Sequence, residues 1–138
     1  MTRAPADLDD EVFTTVQRCF CEALELDEDE VTFDSRVLDD LGAESLDLLD
    51  LVFRLERAFG IQIPRGGLEA EAQNVDGEPG EVDGLLTAAG ATRLREVMPE
   101  VPPDEIVAGM RTDELATVFR VGTFYHLVQR LRAEQAAG

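Results

Sequence analysis

The chain has 138 residues and a formal charge of −18, from 12 basic residues (all arginine) against 30 acids, with one histidine, two cysteines and no tryptophan. That length suits one domain with a proper core, and a 44% hydrophobic content excludes disorder throughout. The missing lysines and the excess acid exclude nucleic acid or an anionic lipid surface as the main partner and point instead to basic surfaces on other proteins.

The first eleven residues, Met1 to Glu11, have no apolar run and do not read as a signal peptide. A first helix is predicted from Asp9 to about Leu26, because Val12, Phe13, Val16, Phe20, Ala23 and Leu24 recur at three and four. The acids Asp7, Asp9, Asp10 and Glu11 supply cap candidates and suit the positive end of that helix. Cys19 and Cys21 lie two apart on it and so point about 200° apart, which excludes a mutual disulfide and argues against a shared metal site. A loop from Asp27 to Gly42 follows, anchored by Val31, Phe33, Val37, Leu38 and Leu41. Helix two is predicted from Glu44 or Ser45 to Phe59, with Gly60 as its stop and Pro64 beyond.

From Arg65 to about Arg111 the chain is rich in glycine and proline and reads as an insertion. Within it, Glu69 to Asp83 is expected to be an exposed loop, and Leu85 to Met98 a helix opened by Thr87 and closed by Pro99. Thr112 to Phe119 predicts a short helix. Gly122 and Thr123 are expected to reset the chain into a last helix whose stripe is Phe124, Leu127, Val128 and Leu131. No stretch has the period or length of a sheet strand, and no apolar run is free enough of charge to span a membrane.

Catalytic chemistry finds few residues to use. Ser35 and Ser45 are the only serines and His126 the only histidine. Gly42 stands three residues before Ser45, and Leu46 follows it, so the hydrolase elbow pattern fails. His126 falls about 200° round the last helix from Phe124 and is expected on the surface with no chemical role. Asp27 to Glu30 resembles a cation loop only until the fifth and sixth positions, Val31 and Thr32, which break the pattern; it reads as a solvated acidic turn.

What remains is Asp40-Leu41-Gly42-Ala43-Glu44-Ser45-Leu46, opening an amphipathic helix that continues through Asp47-Leu48-Leu49-Asp50-Leu51-Val52 to Phe59-Gly60-Ile61-Gln62-Ile63-Pro64. Here the sequence resembles the acyl carrier protein family, over about Asp9 to Pro64 and Thr112 to Leu131. The resemblance implies an all-α, up-and-down four-helix bundle, with 65–111 as an inserted, partly helical lobe within a single domain 1–138. It implies that Ser45 carries 4′-phosphopantetheine through a phosphodiester, added by a phosphopantetheinyl transferase, with acyl intermediates held as thioesters on the terminal thiol. The chain would then be a carrier rather than an enzyme, serving fatty-acid, polyketide or specialised lipid biosynthesis. A helix N-terminus suits this chemistry, since its dipole and free N–H groups favour a phosphate beside Ser45.

With Leu46 as origin and 100° per residue, Arg57, Asp50, Arg54 and Asp47 fall between about 20° and 100° on helix two. Leu48, Leu49, Leu51, Val52, Phe53, Leu55 and Phe59 occupy the rest, interrupted by Glu56, so one narrow polar strip beside Ser45 is expected with everything else buried. In the family such a strip docks on basic patches of acyl-processing enzymes, which here implies Asp40, Glu44, Leu46, Asp47 and Asp50 as docking residues. Residues 1–60 hold 5 basic and 17 acidic side chains (5 − 17 = −12), so the carrier-like half is the more acidic. Two departures stand out: Glu44 replaces the usual Asp, and Arg54 and Arg57 stand where the family commonly has acids. They admit either a local Asp50–Arg54 pair or a dedicated set of partners. The expected molecule is a cytoplasmic monomer without metal, in a specialised pathway. The alternatives are an unmodified, carrier-shaped acidic interaction module, or a peptidyl carrier.

Overall fold

The computed structural model describes residues 4–63, 74–75 and 78–137. Helix α1 spans Asp10–Leu24, and the Asp9 carboxylate caps it by accepting the N–H groups of Glu11 and Val12 at 3.1 and 3.2 Å. Its buried stripe is Val12, Val16, Cys19 and Phe20, the spacing that one helix face requires. Helix α2 spans Ser45–Phe59 and ends where Gly60 takes a left-handed φ of 65°. A 3₁₀ segment, Thr112–Val118, replaces the expected short α-helix and leads into the last helix, Val121–Ala137. The three long helices pack on one another, with Phe20, Leu51, Leu55, Phe124, Leu127 and Val128 buried between them, and the Phe20 and Phe124 rings meet edge-on at 5.5 Å. The architecture is the all-α bundle expected, with extra structure inserted.

The long connection before α2 is held as expected: Val31, Phe33 and Val37 are buried, Leu38 and Leu41 partly so. It also runs beside the start of the last helix. The Val37 N–H donates to the Phe119 carbonyl at 3.0 Å, Val121 N–H to Ser35 at 3.0 Å and Gly122 N–H to Phe33 at 2.9 Å. Gly122 therefore does not break the chain ahead of the helix, as its residue type suggested. It lies in the first helical turn, where the Phe33 ring occupies the space a side chain would need.

Local order in the insertion exceeds what its composition predicted. Two short antiparallel ladders form, β1 (Asn74–Val75) with β2 (Glu78–Pro79) and β3 (Glu81–Val82) with β4 (Leu85–Leu86). These are hairpin rungs of two residues each, too short to leave a period in the sequence. Part of the segment 69–83, expected as a loop, is thus paired; residues 69–73, 76 and 77 lie outside the described set. Helix α3 spans Ala88–Val97, shorter than predicted because Leu85 and Leu86 belong to β4, and Thr87 caps it through the Gly90 N–H at 3.1 Å. We label the final helix α4.

The insertion packs on the first half of α4. Leu86, Ala91, Leu94, Met98, Val101 and Ile106 are buried together with Leu115, Val121 and Val128. Polar contacts join the same surfaces: Arg130 donates to the Val97 carbonyl at 3.0 Å, and the buried Arg120 guanidinium meets both Glu105 carboxylate oxygens at 3.0 and 2.9 Å. This cover corrects the expectation for His126. Rather than lying on the surface, it is partly buried, with its ring 5.8 Å from that of Phe33 and its Nε2 3.8 Å from Glu100. The face of α4 opposite its apolar stripe is the face the insertion covers, so periodicity alone misplaced the residue. No helix among the described residues is long and apolar enough to cross a membrane.

Candidate functional site

Ser45 is the first residue of α2, at the end of a tightly turned approach. The N–H groups of Asp40 and Leu41 both donate to the Arg36 carbonyl at 3.0 Å, while those of Gly42 and Ala43 reach Leu38 and Val37 at 3.1 Å. Gly42 sits at φ +68°, a backbone conformation that side chains disfavour, and Ala43 is buried. The turn therefore places Ser45 at a defined point on the rim of the bundle. Ser35, by contrast, is committed to its own loop, accepting the Thr32 N–H at 3.0 Å.

The acids named from sequence also have structural work. Asp40 accepts the Arg36 N–H at 2.8 Å, and Asp47 accepts the Glu44 N–H at 2.9 Å, which ties down the α2 N-terminus. Asp50 holds Arg54 at 3.1 Å, and Glu22 of α1 lies 3.9 Å from the same guanidinium. The local-pair reading of Arg54 is thus the observed one. Glu44, whose side chain shares a capping box with Asp47, is exposed, as is Arg57.

The face of α2 departs from expectation in one respect. Leu51 and Leu55 are buried, but Leu49 and Phe53, expected inside, are 51% and 53% exposed, and Leu46 is 78% exposed. These three recur at three and four, forming an apolar line that descends α2 from Ser45 beside the predicted polar strip. Hydrophobicity predicted their burial, but no neighbour among the described residues covers that side of α2. An open cleft of about 490 Å³, lined by Gly60, Ile61, Gln62, Leu131, Glu134 and Gln135, lies at the other end of α2. Some fifteen helical residues separate it from Ser45, about 22 Å along the axis.

The other chemistry-bearing residues stay apart from this site. Cys19 and Cys21 are both free thiols, and burial pushes each of them up, with Glu22 adding to the effect at Cys19 and Glu28 at Cys21. They therefore stay protonated and weakly nucleophilic at neutral pH. Asp27 to Glu30 contains an exposed 3₁₀ turn, Glu28–Glu30, and no cluster of potential metal ligands occurs among the described residues.

The family model of the phosphopantetheine attachment site matches residues 14–76. The acyl carrier protein of Treponema denticola is 49% identical over 55 residues, covering 40% of this chain and 70% of the relative. That of Thermotoga maritima is 43% identical over 60 residues, 44% of this chain and 74% of the relative. The chain belongs to the acyl carrier protein family. A third relative, the acyl carrier protein AcpXL of Brucella melitensis, is 45% identical over 64 residues, 46% of this chain and 66% of its own length. No solved structure matches significantly.

As an acyl carrier protein, the molecule carries acyl intermediates on covalent 4′-phosphopantetheine and is not itself an enzyme. It meets phosphopantetheinyl transferases and acyl-processing enzymes. The residues present fit the group: a fifteen-residue helix offers its N-terminal dipole and free N–H groups to a phosphate, and the glycine turn leaves open space before it.

Proposed function

We propose that Ser45 is the attachment residue and that α2 is the surface by which this carrier is recognised. The observation that supports the first part is the placement of Ser45 as the opening residue of α2, in the Asp40–Leu46 stretch inside the matched region. Once attached, the group's terminal thiol holds acyl chains as thioesters. The chain's own part is to hold the backbone of Ser45 at a helix N-terminus, fixed by the Glu44–Asp47 contact and the Gly42 turn. Phosphopantetheinylation joins the Ser45 oxygen to phosphorus and releases the nucleotide portion of coenzyme A.

Leu46, Leu49 and Phe53, bordered by Glu44, Asp47 and Asp50, form a mixed apolar and acidic face. It suits enzymes that offer a basic patch around an apolar recess: charge speeds the encounter, and buried apolar contact supplies affinity. The insertion 65–111 and the exposed Arg57 favour a dedicated pathway over a general one. Residues 1–138 act as a single, monomeric domain, and the free Cys19 and Cys21 suit the reducing cytoplasm.

Intact mass after co-expression with a promiscuous phosphopantetheinyl transferase tests the assignment. A gain of one phosphopantetheine that is lost in Ser45→Ala supports it. A gain that persists in Ser45→Ala moves the site elsewhere, and no gain with several transferases favours the unmodified interaction module.

A further inference from the structure

The insertion meets α4 through a carboxylate that the contact leaves incompletely satisfied. Glu100 follows α3 and is 1% exposed. One of its oxygens accepts the Thr123 hydroxyl at 2.6 Å. The other, Oε1, is buried and has no hydrogen-bond partner among the described residues. Nε2 of His126 lies 3.8 Å from it, one turn along α4 from Thr123. A buried carboxylate with half of its hydrogen-bonding capacity unmet is costly, and protonation of that carboxylate relieves the cost.

We propose that Glu100 and Thr123, with His126 beside them, form a proton-dependent latch that holds the inserted lobe on α4 more firmly when Glu100 is protonated. This inference stands apart from the assignment of Ser45 and survives its failure.

The surrounding charges define how the latch responds. From α4 and the residue before it, Arg130 and Arg120 face the pair; from the insertion, Glu105 is already engaged with Arg120; from the segment before α1, Asp7 acts on His126. Burial pushes the Glu100 carboxyl above its ordinary 4.5, opposed by the Thr123 bond, then by its own backbone N–H, and more weakly by the two arginines. Burial, then Arg130, pushes His126 below its ordinary 6.5, with Asp7 opposing.

The two signs oppose each other. The docked lobe binds the Glu100 proton more tightly than the open lobe does. Docking therefore weakens as pH rises from the ordinary carboxyl value through the raised one, where the buried oxygen is left charged and unpaired. The docked lobe binds a His126 proton less tightly than the open one. The His126 contribution therefore weakens as pH falls below about 6.5, opposing the Glu100 contribution where the two ranges overlap.

The latch also touches the approach to α2. Thr123 Oγ1 accepts the Arg120 N–H at 2.9 Å, and Arg120 bridges antiparallel to Arg36, whose carbonyl holds the Asp40 and Leu41 amides. Release of the lobe would loosen one flank of the loop that delivers Ser45.

The test is amide hydrogen exchange of the full chain between pH 5 and 8, corrected for intrinsic rates, comparing α3 (Leu94 to Val97) with α1 (Val16 to Phe20). The expected result is a Glu100-dependent fall of α3 protection as pH rises, by at most about tenfold per unit, the limit for one linked proton. Glu100→Gln keeps the Thr123 acceptor and removes the charge, so that fall should vanish; His126→Gln removes the opposing contribution and should steepen it. Protection in His126→Gln that is flat with pH, or that changes identically in Glu100→Gln, would overturn the proposal. Carbon-13 titration of the wild-type Glu100 carboxyl gives a second reading that requires no variant. A midpoint above 4.5 supports the latch, and one at or below 4.5 overturns it.

Discussion

A β-carbon added to Gly122 would sit 2.5 Å from the Phe33 ring, so the first turn of α4 and the loop leading to α2 share one piece of space. The same two residues exchange a backbone hydrogen bond at 2.9 Å, so neither can retreat without breaking it. Gly122→Ala is therefore expected to destabilise the fold by about 1–3 kcal/mol, the usual cost of overpacking. Chemical denaturation checks it; a variant as stable as wild type would show that the Phe33 ring swings away freely.

Phe53 separates recognition from stability. Half exposed on α2, it contributes little to the core, so Phe53→Ala should change stability by no more than about 0.5 kcal/mol. The same change should slow loading or acyl transfer by enzymes that dock on this face. Equal kcat/KM values for wild type and variant across several partner enzymes would remove Phe53 from the docking surface.

Asp47 couples both properties. Its carboxylate accepts the Glu44 N–H one residue before Ser45. Asp47→Ala should cost about 1 kcal/mol of stability through the lost N-terminal contact. It should also reduce the rate of phosphopantetheinylation, because the serine it positions becomes less ordered. Thermal unfolding and loading kinetics monitored by intact mass read the two effects separately. Asp47→Asn keeps an acceptor and should restore most of the stability.

Leu94 tests whether the lobe belongs to the fold. It is fully buried in the insertion, within the same apolar cluster as the helices of the bundle. Leu94→Ala should cost about 2–5 kcal/mol, as other buried leucine truncations do. A single cooperative transition shifted down would place the insertion in one unit with the bundle. A separate early transition confined to α3, with α1 unaffected, would make the lobe an independent appendage.

Much of this protein is legible in its residues because the signals are local. Helices α1 and α2 follow from apolar spacing, and their ends from Asp9 and Gly60, whose cap chemistry needs only near neighbours. The Asp40–Leu46 stretch placed Ser45 at a helix start for the same reason. The Asp50–Arg54 contact was one of two open readings, and helical spacing of four makes it geometrically available whatever the rest of the fold does.

The remainder depended on what packs against what. Leu49 and Phe53 have the side chains of a core, yet no element among the described residues covers them, and nothing in α2 itself records that. His126 looks like a surface residue on a helical wheel, but a lobe more than twenty residues upstream covers it and brings Glu100 to 3.8 Å. Gly122 reads as a breaker until the Phe33 ring, almost ninety positions earlier, is seen to require its missing side chain. Composition and periodicity determined an acidic, helical protein with a serine at the head of α2, and the resemblance of the Asp40–Leu46 stretch implied a carrier. Long-range packing alone decided which of its apolar faces stay open and which polar groups are buried, because burial is a property of two surfaces and a sequence pattern describes only one.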